Sequence, residues 1–197
     1  EQIYQAIELV KKAGKPIYSS MGSIATSGGY YIAVNSDKIL ANPGTLTGSI
    51  GTISSFSNIV ELEKMLAIKS ESIKTGKYMD MMSSHSQLSN DEIKMIQTIQ
   101  EEAYDVFVDH VATNRNFSTD ETNKLAQGQL FTGLQAKQLN LIDEIGNFYD
   151  TVESLSKATN IQGEPELIYF RKEVSPLSSA SQFFGIPSSL FSFINLI

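Results

Sequence analysis

Ser27 stands in the run Met21-Gly22-Ser23-Ile24-Ala25-Thr26-Ser27-Gly28-Gly29-Tyr30-Tyr31, between an apolar stretch and the start of a helical one. Backbone N–H groups at a helix start lack intrahelical acceptors, and the helix dipole favours negative charge there. A serine hydroxyl beside such donors suits attack on a carbonyl, with the donors holding the oxyanion. Gly28 and Gly29 carry no Cβ and let another backbone approach. The same position also suits an ordinary helix N-cap, for which serine is a preferred residue.

A nucleophilic serine needs a base. The histidines are His85 and His110. His110 falls on the apolar stripe of a long helical pattern, where a core-edge role is expected. Ala25 stands where the G-x-S-x-G elbow has its first glycine, so that motif is not matched. A serine–lysine dyad is the other solution. Its lysine must be neutral, so a pKa of about 10.4 has to fall to roughly 7–8 by burial.

The elements that must position Ser27 alternate between strand and helix. Helical spacing covers Ile3, Ile7 and Val10, and Gly14 stops that helix. A strand over Lys15–Met21 delivers the serine turn, and a buried helix runs from Tyr30 to Asn35. Strands are expected at Lys38–Ala41, along Leu46–Ile53, at Glu71–Gly76 and at Glu166–Arg171. Helices are expected over Asn58–Ala67, from Ser89 to about Arg115, over Thr119–Ala126, Leu134–Leu139 and Asn147–Ala158. The long helix carries the stripe Ile93, Ile96, Ile99, Ala103, Val106, Phe107, His110 and Val111. This order implies an α/β fold with a mostly parallel sheet flanked by helices.

The chain has 197 residues and a formal charge of −7, which argues against a nucleic-acid surface. There is no cysteine, so disulfides and thiolate metal sites are excluded, and two histidines make a multi-histidine metal site a poor fit. No cofactor is expected. No apolar run reaches the ~20 residues that span a bilayer. The sequence opens on Glu1 inside a helical pattern, which reads as a piece of a longer protein. From Ser175 onward the composition shifts to Ser, Phe, Leu and Pro. We divide the chain into a domain over 1–172 and an apolar tail over 173–197 expected to dock on a groove or a neighbouring subunit.

Several motifs together resemble one family. They are Lys15-Pro16-Ile17-Tyr18, Ser27-Gly28-Gly29-Tyr30-Tyr31-Ile32, Leu46-Thr47-Gly48-Ser49-Ile50-Gly51, Ile73-Lys74-Thr75-Gly76 and Leu139-Asn140-Leu141-Ile142-Asp143-Glu144-Ile145-Gly146. In order and in gaps they resemble the bacterial signal peptide peptidase A family, from near residue 1 to about residue 155. The resemblance implies a Clp-protease/crotonase-like fold, a homo-oligomer, and cleavage of leftover signal peptides by a serine–lysine dyad. It implies an anchor in the bacterial cell membrane, with the peptidase domain on the extracytoplasmic side. Both that anchor and a glycine-rich oxyanion loop would lie upstream of Glu1. Carried over by position, Ser27 is the nucleophile, Ser49 orients the lysine amine, and Gly28 gives one oxyanion N–H.

The base departs from the pattern. The resemblance puts the lysine at position 79, and this sequence has Met79. A thioether accepts no proton from serine. Three accounts remain open: an engineered inactive variant, a natural enzyme that uses Lys77, and a pseudopeptidase that binds peptides without cutting them. In an extended segment residues two apart point the same way, roughly 6.8 Å apart, which motivates Lys77. An acyl-CoA enzyme would also use an oxyanion hole, but gives Ser27 no necessary role.

Overall fold

The computed structural model describes residues 1–170. The chain divides into two compact units, 1–161 and 162–197. In the second, the described residues 162–170 form no helix or strand, so the strand expected at Glu166–Arg171 is absent over its described part. The tail expected over 173–197 lies outside the described residues.

The first unit opens with α1 (Gln2–Lys12), β1 (Tyr18–Met21), β2 (Ile24–Thr26), α2 (Gly28–Ala33), β3 (Lys38–Ala41) and β4 (Leu46–Gly48). It continues with α3 (Val60–Met65), α4 (Asn90–Arg115), α5 (Thr119–Leu125), β5 (Leu130–Thr132), α6 (Gly133–Gln138), β6 (Glu144–Ile145) and α7 (Phe148–Ala158). The strands form two short sheets, in the orders β1-β3-β6 and β2-β4-β5. Three of the four pairings are parallel, and β4–β5 is antiparallel. The α/β class and the mainly parallel pairing follow the sequence reading.

Side-chain chemistry explains the starts of four helices. Capping boxes start α4 at Ser89 with Glu92, α5 at Ser118 with Glu121, α6 at Thr132 with Gln135, and α7 at Asn147 with Asp150. Each supplies acceptors to N–H groups that a helix start leaves unpaired. Asn116 ends α4 in the left-handed conformation, where asparagine is tolerated. The core gathers Tyr4, Met21, Tyr30, Val34, Ile39, Ile50, Phe107, Val111, Leu141 and Ile142. Arg115 clamps Asp143 through both guanidinium ends at 3.2 and 2.9 Å, and Asp143 accepts the Ile39 N–H at 2.7 Å. That chain of contacts ties the end of α4 to β3.

Three expectations need correction. Glu71–Gly76 forms no strand. Ile73 is fully exposed there, so no buried face exists to fix a register. The α4 stripe is buried at Phe107 and Val111, whereas Ile93, Ile99 and Val106 stay exposed; Val108, off the expected stripe, is buried. Periodicity shows a face that can be covered, not how much of it one chain covers. The structure also has a strand, β2, where no strand was expected; its Ile24 is 68% exposed, so it lacks the burial signature of a core strand.

Among the described residues, no helix is long and apolar enough to cross a membrane.

Gly48 closes β4 with φ of +80°, and a Cβ there would sit 2.6 Å from Phe131 Cδ2 and 2.9 Å from the Gln129 carbonyl oxygen. Gly14 has φ of +75° but nothing within 4 Å. Gly14→Ala therefore isolates the backbone penalty, about 1 kcal/mol, whereas Gly48→Ala adds a clash and should cost about 2–4 kcal/mol. Urea titrations of the two variants measure the difference; equal losses would show that β5 yields to the methyl group.

Candidate active site

Ser27 sits at a sharp corner between β2 and α2. Its φ of 50° and ψ of −115° lie where a residue with a Cβ is strained. Surrounding contacts hold it there. The Ser27 N–H donates to the Gly48 carbonyl at 2.8 Å, and Thr47 Oγ1 donates to the Ala25 carbonyl at 2.7 Å. Ser27 occupies the N-cap position of α2 but makes no side-chain capping hydrogen bond. The hydroxyl is exposed rather than tied to its own helix. The geometry thus separates the two readings of this serine: the position is a cap, and the side chain does not act as one.

The Tyr31 N–H makes the first bond of α2, to the Ser27 carbonyl at 2.8 Å. The Gly28 N–H precedes it and has no acceptor within the helix. It is therefore a donor beside the Ser27 hydroxyl.

Ser27 and Ser49 line one cavity of about 450 Å³, together with Gly51, Ile53, Tyr104 and Gln127 among others. Ser49 follows β4 directly, also at φ of 50°, and its N–H donates to the Gln129 carbonyl at 2.7 Å. Gly128 N–H returns a bond to the Ile50 carbonyl at 3.1 Å. The β4 end and the segment before β5 thus form one wall. Tyr104 of α4 forms another, its hydroxyl donating to Asn123 Oδ1 at 3.3 Å. Among the described residues no lysine, arginine, histidine or carboxylate lines this cavity. Sequence reasoning missed Tyr104 and Gln127. Tyr104 had a signal, an aromatic one turn before the buried Phe107; Gln127 had none.

Met79 is elsewhere. It is 71% exposed and lines a separate cavity of about 380 Å³ with Ile73, Lys74 and Asp80 among others. Within one protomer the structure brings Ser27, Gly28 and Ser49 together and leaves Met79 outside that group. Lys77 is not in the Ser27 cavity either. Its Nζ pairs with Asp91 Oδ2 at 2.8 Å. That hydrogen bond, helped by one involving Tyr78, raises the lysine pKa above its ordinary value. A general base needs the opposite shift. The segment is also a series of turns, so the two-residue strand argument for Lys77 has no strand to act on.

His110 is the core-edge residue expected from its stripe. It stacks on Tyr4 at 3.8 Å between ring centroids, and its Nε2 lies 3.2 Å from Glu1 Oε2. His85 contacts Glu63. Neither histidine lines the Ser27 cavity. Among the described residues there is no cluster of three metal-binding side chains.

The sequence profile of Peptidase family S49 matches residues 10–162. A putative signal peptide peptidase SppA of Enterococcus faecium is 37% identical over 184 residues, covering 90% of this chain and 53% of that protein. Protease 4 of Haemophilus influenzae is 36% identical over 160 residues, covering 81% of this chain and 26% of its own length. The chain thus spans about half or less of the length of these curated relatives. Among solved structures, a peptidase from Plasmodium falciparum aligns with a TM-score of 0.41 at 14% identity, over 74% of this chain and 65% of that one. With the profile running through the serine corner, β4 and position 79, this chain belongs to peptidase family S49.

Proposed function

We propose that this chain is the catalytic domain of a serine endopeptidase for apolar peptides, remnant signal peptides by class, and that Met79 silences it. Ser27 is the nucleophile and Gly28 N–H an oxyanion donor. Ser49 orients the amine of a lysine that this chain lacks at position 79. One observation carries the reading: a strained, uncapped Ser27 shares a cavity with Ser49, and among the described residues no lysine, histidine or carboxylate lines it. Methionine matches lysine in length and removes the proton acceptor.

In this reading the chain works as a homo-oligomer attached to the bacterial membrane through a segment upstream of Glu1. Exposed Ile53, Met65, Ile73 and Met79 support assembly, because a monomer gains nothing from leaving so many large apolar groups in water. A neighbouring copy can then bring position 79 to a cavity that its own protomer does not reach. Hydrolysis by serine and lysine requires no metal or cofactor.

A second reading is a pseudopeptidase that binds apolar peptides without cleavage. The absence of a base from the Ser27 cavity favours it equally. The two readings separate on one substitution.

Met79→Lys should raise hydrolysis of an apolar fluorogenic peptide by about 10²-fold or more, the usual worth of a positioned base. Ser27→Ala should abolish that gain. Saturable peptide binding with no cleavage in Met79→Lys, measured in a protein extended through its upstream loop, selects the pseudopeptidase.

In the Met79→Lys protein kcat/KM should rise with pH, because only the neutral amine accepts the serine proton. Ser49→Ala should lower kcat about tenfold and leave KM near its starting value, since Ser49 acts on the amine and not on ground-state binding. A flat pH profile would remove lysine from the mechanism.

A further inference from the structure

Outside the serine cavity, two side chains converge on one carboxylate oxygen of a third. Glu63 of α3 has a side chain only 12% exposed. Its Oε1 accepts from Ser70 Oγ at 2.6 Å and lies 2.7 Å from His85 Nδ1. A carboxylate only accepts, so the imidazole donates through Nδ1. Ser70 Oγ and His85 Nδ1 approach to 3.3 Å because both are aimed at the same acceptor. This is no catalytic triad. The serine proton points at the carboxylate, and the imidazole offers Ser70 no lone pair.

What the three residues join is informative. Ser70 and His85 bracket the turns that carry position 79. Around them, the Ile59 N–H donates to the Ser84 carbonyl at 2.9 Å, and Asn58 Nδ2 donates to the Ser86 carbonyl at 3.2 Å. The Ile68 N–H donates to the Glu63 carbonyl at 2.9 Å. Both ends of the excursion are therefore fastened to α3 and to the residues that start it. Between those ends no helix or strand holds the chain. Local turn hydrogen bonds hold it there, such as the Ser83 N–H to the Asp80 carbonyl at 3.0 Å, with two side-chain ion pairs, Lys74 to Asp80 at 2.5 Å and Lys77 to Asp91 at 2.8 Å. Both of these pairs lie on partly or fully exposed side chains, where such pairs are weak. The Glu63 contact differs, because its acceptor is buried and serves two donors at once.

We propose that Glu63, Ser70 and His85 form a clasp that fixes the segment 70–85, and that these three are positioning residues for whatever side chain occupies position 79. The clasp rests on the assignment of position 79 only in its functional consequence; its structural consequence is independent. Ser70 and then His85 hold the Glu63 carboxyl below the usual carboxylate range, consistent with an ionised acceptor.

Hydrogen exchange on the full chain, with Met79 in place, tests the clasp. His85→Ala should speed exchange of amides in 70–85 about tenfold or more, with β1 to β4 unchanged. His85→Asn keeps a donor near the Nδ1 position and should restore protection. Ser70→Ala, at an exposed serine, gives the same readout should His85→Ala not fold. Unchanged exchange in 70–85, or failure of His85→Asn to rescue it, overturns the clasp. In the Met79→Lys background, His85→Ala should lower kcat about tenfold with KM retained. A kcat equal to that of Met79→Lys alone overturns the positioning role. An inert Met79→Lys protein whose exchange still follows the expected pattern leaves the clasp standing and removes the base assignment.

Discussion

A helix of six residues does not hold its own first turn in water, yet the serine corner depends on one. What holds α2 is Tyr30. Its ring is fully buried, and its hydroxyl donates to the Leu141 carbonyl at 2.8 Å. Burial raises the phenol pKa well above its ordinary value, so the group stays a donor. Leu141 in turn lies two residues before Asp143, which Arg115 clamps. The strained backbone of Ser27 therefore has support from three directions: Gly48 through its carbonyl, Tyr30 through the core, and α4 through Arg115. Strain of about 1–3 kcal/mol persists only where the surroundings over-determine it, and here they do.

Much of this was legible in the sequence, for a physical reason. The caps of α4 and α7 are local, written in residues three apart, and the sequence reading found both helices. The serine corner was legible because small residues between an apolar strand and a helix have few other uses. The two-sheet arrangement was not legible. Strand β2 has three residues and exposes Ile24, so it leaves no alternation to detect. The expected strand at Glu71–Gly76 failed in the opposite way: Ile73 suggests burial by type, and none of the described residues covers it.

The candidate site divides along the same line. Ser27, Gly28 and Ser49 are brought together by pairing between β2 and β4, whose register sets Thr26 opposite Gly48. That pairing was not itself legible; the sequence linked Ser27 and Ser49 only through the family resemblance. Tyr104 and Gln127 reach the cavity through tertiary packing of α4 and the segment after α5, which no local pattern encodes. Position 79 shows the limit most clearly. Sequence spacing gives its place along the chain, but an irregular excursion separates it from β4, so spacing says nothing of the cavity it enters.

That separation bears on what the loss of a base would leave behind. Attack by serine needs two things at different moments: a proton acceptor for the hydroxyl, and donors for the oxyanion. The donor near Ser27 belongs to the backbone of α2, fixed by the core, and depends on nothing at position 79. In the proposed reading a thioether there removes the acceptor, while the donor, the cavity and the strained corner, none of which involves position 79, remain. A carbonyl could still dock against the Gly28 N–H, and an apolar side chain could still meet Ile53 and Tyr104. Removing a base therefore lowers the rate by a factor of about 10²–10⁴ while the binding surface persists. In the proposed reading, the groups that would hold a peptide and the group that would take the serine proton come from separate parts of the chain, so substitution at position 79 removes cleavage without dismantling binding.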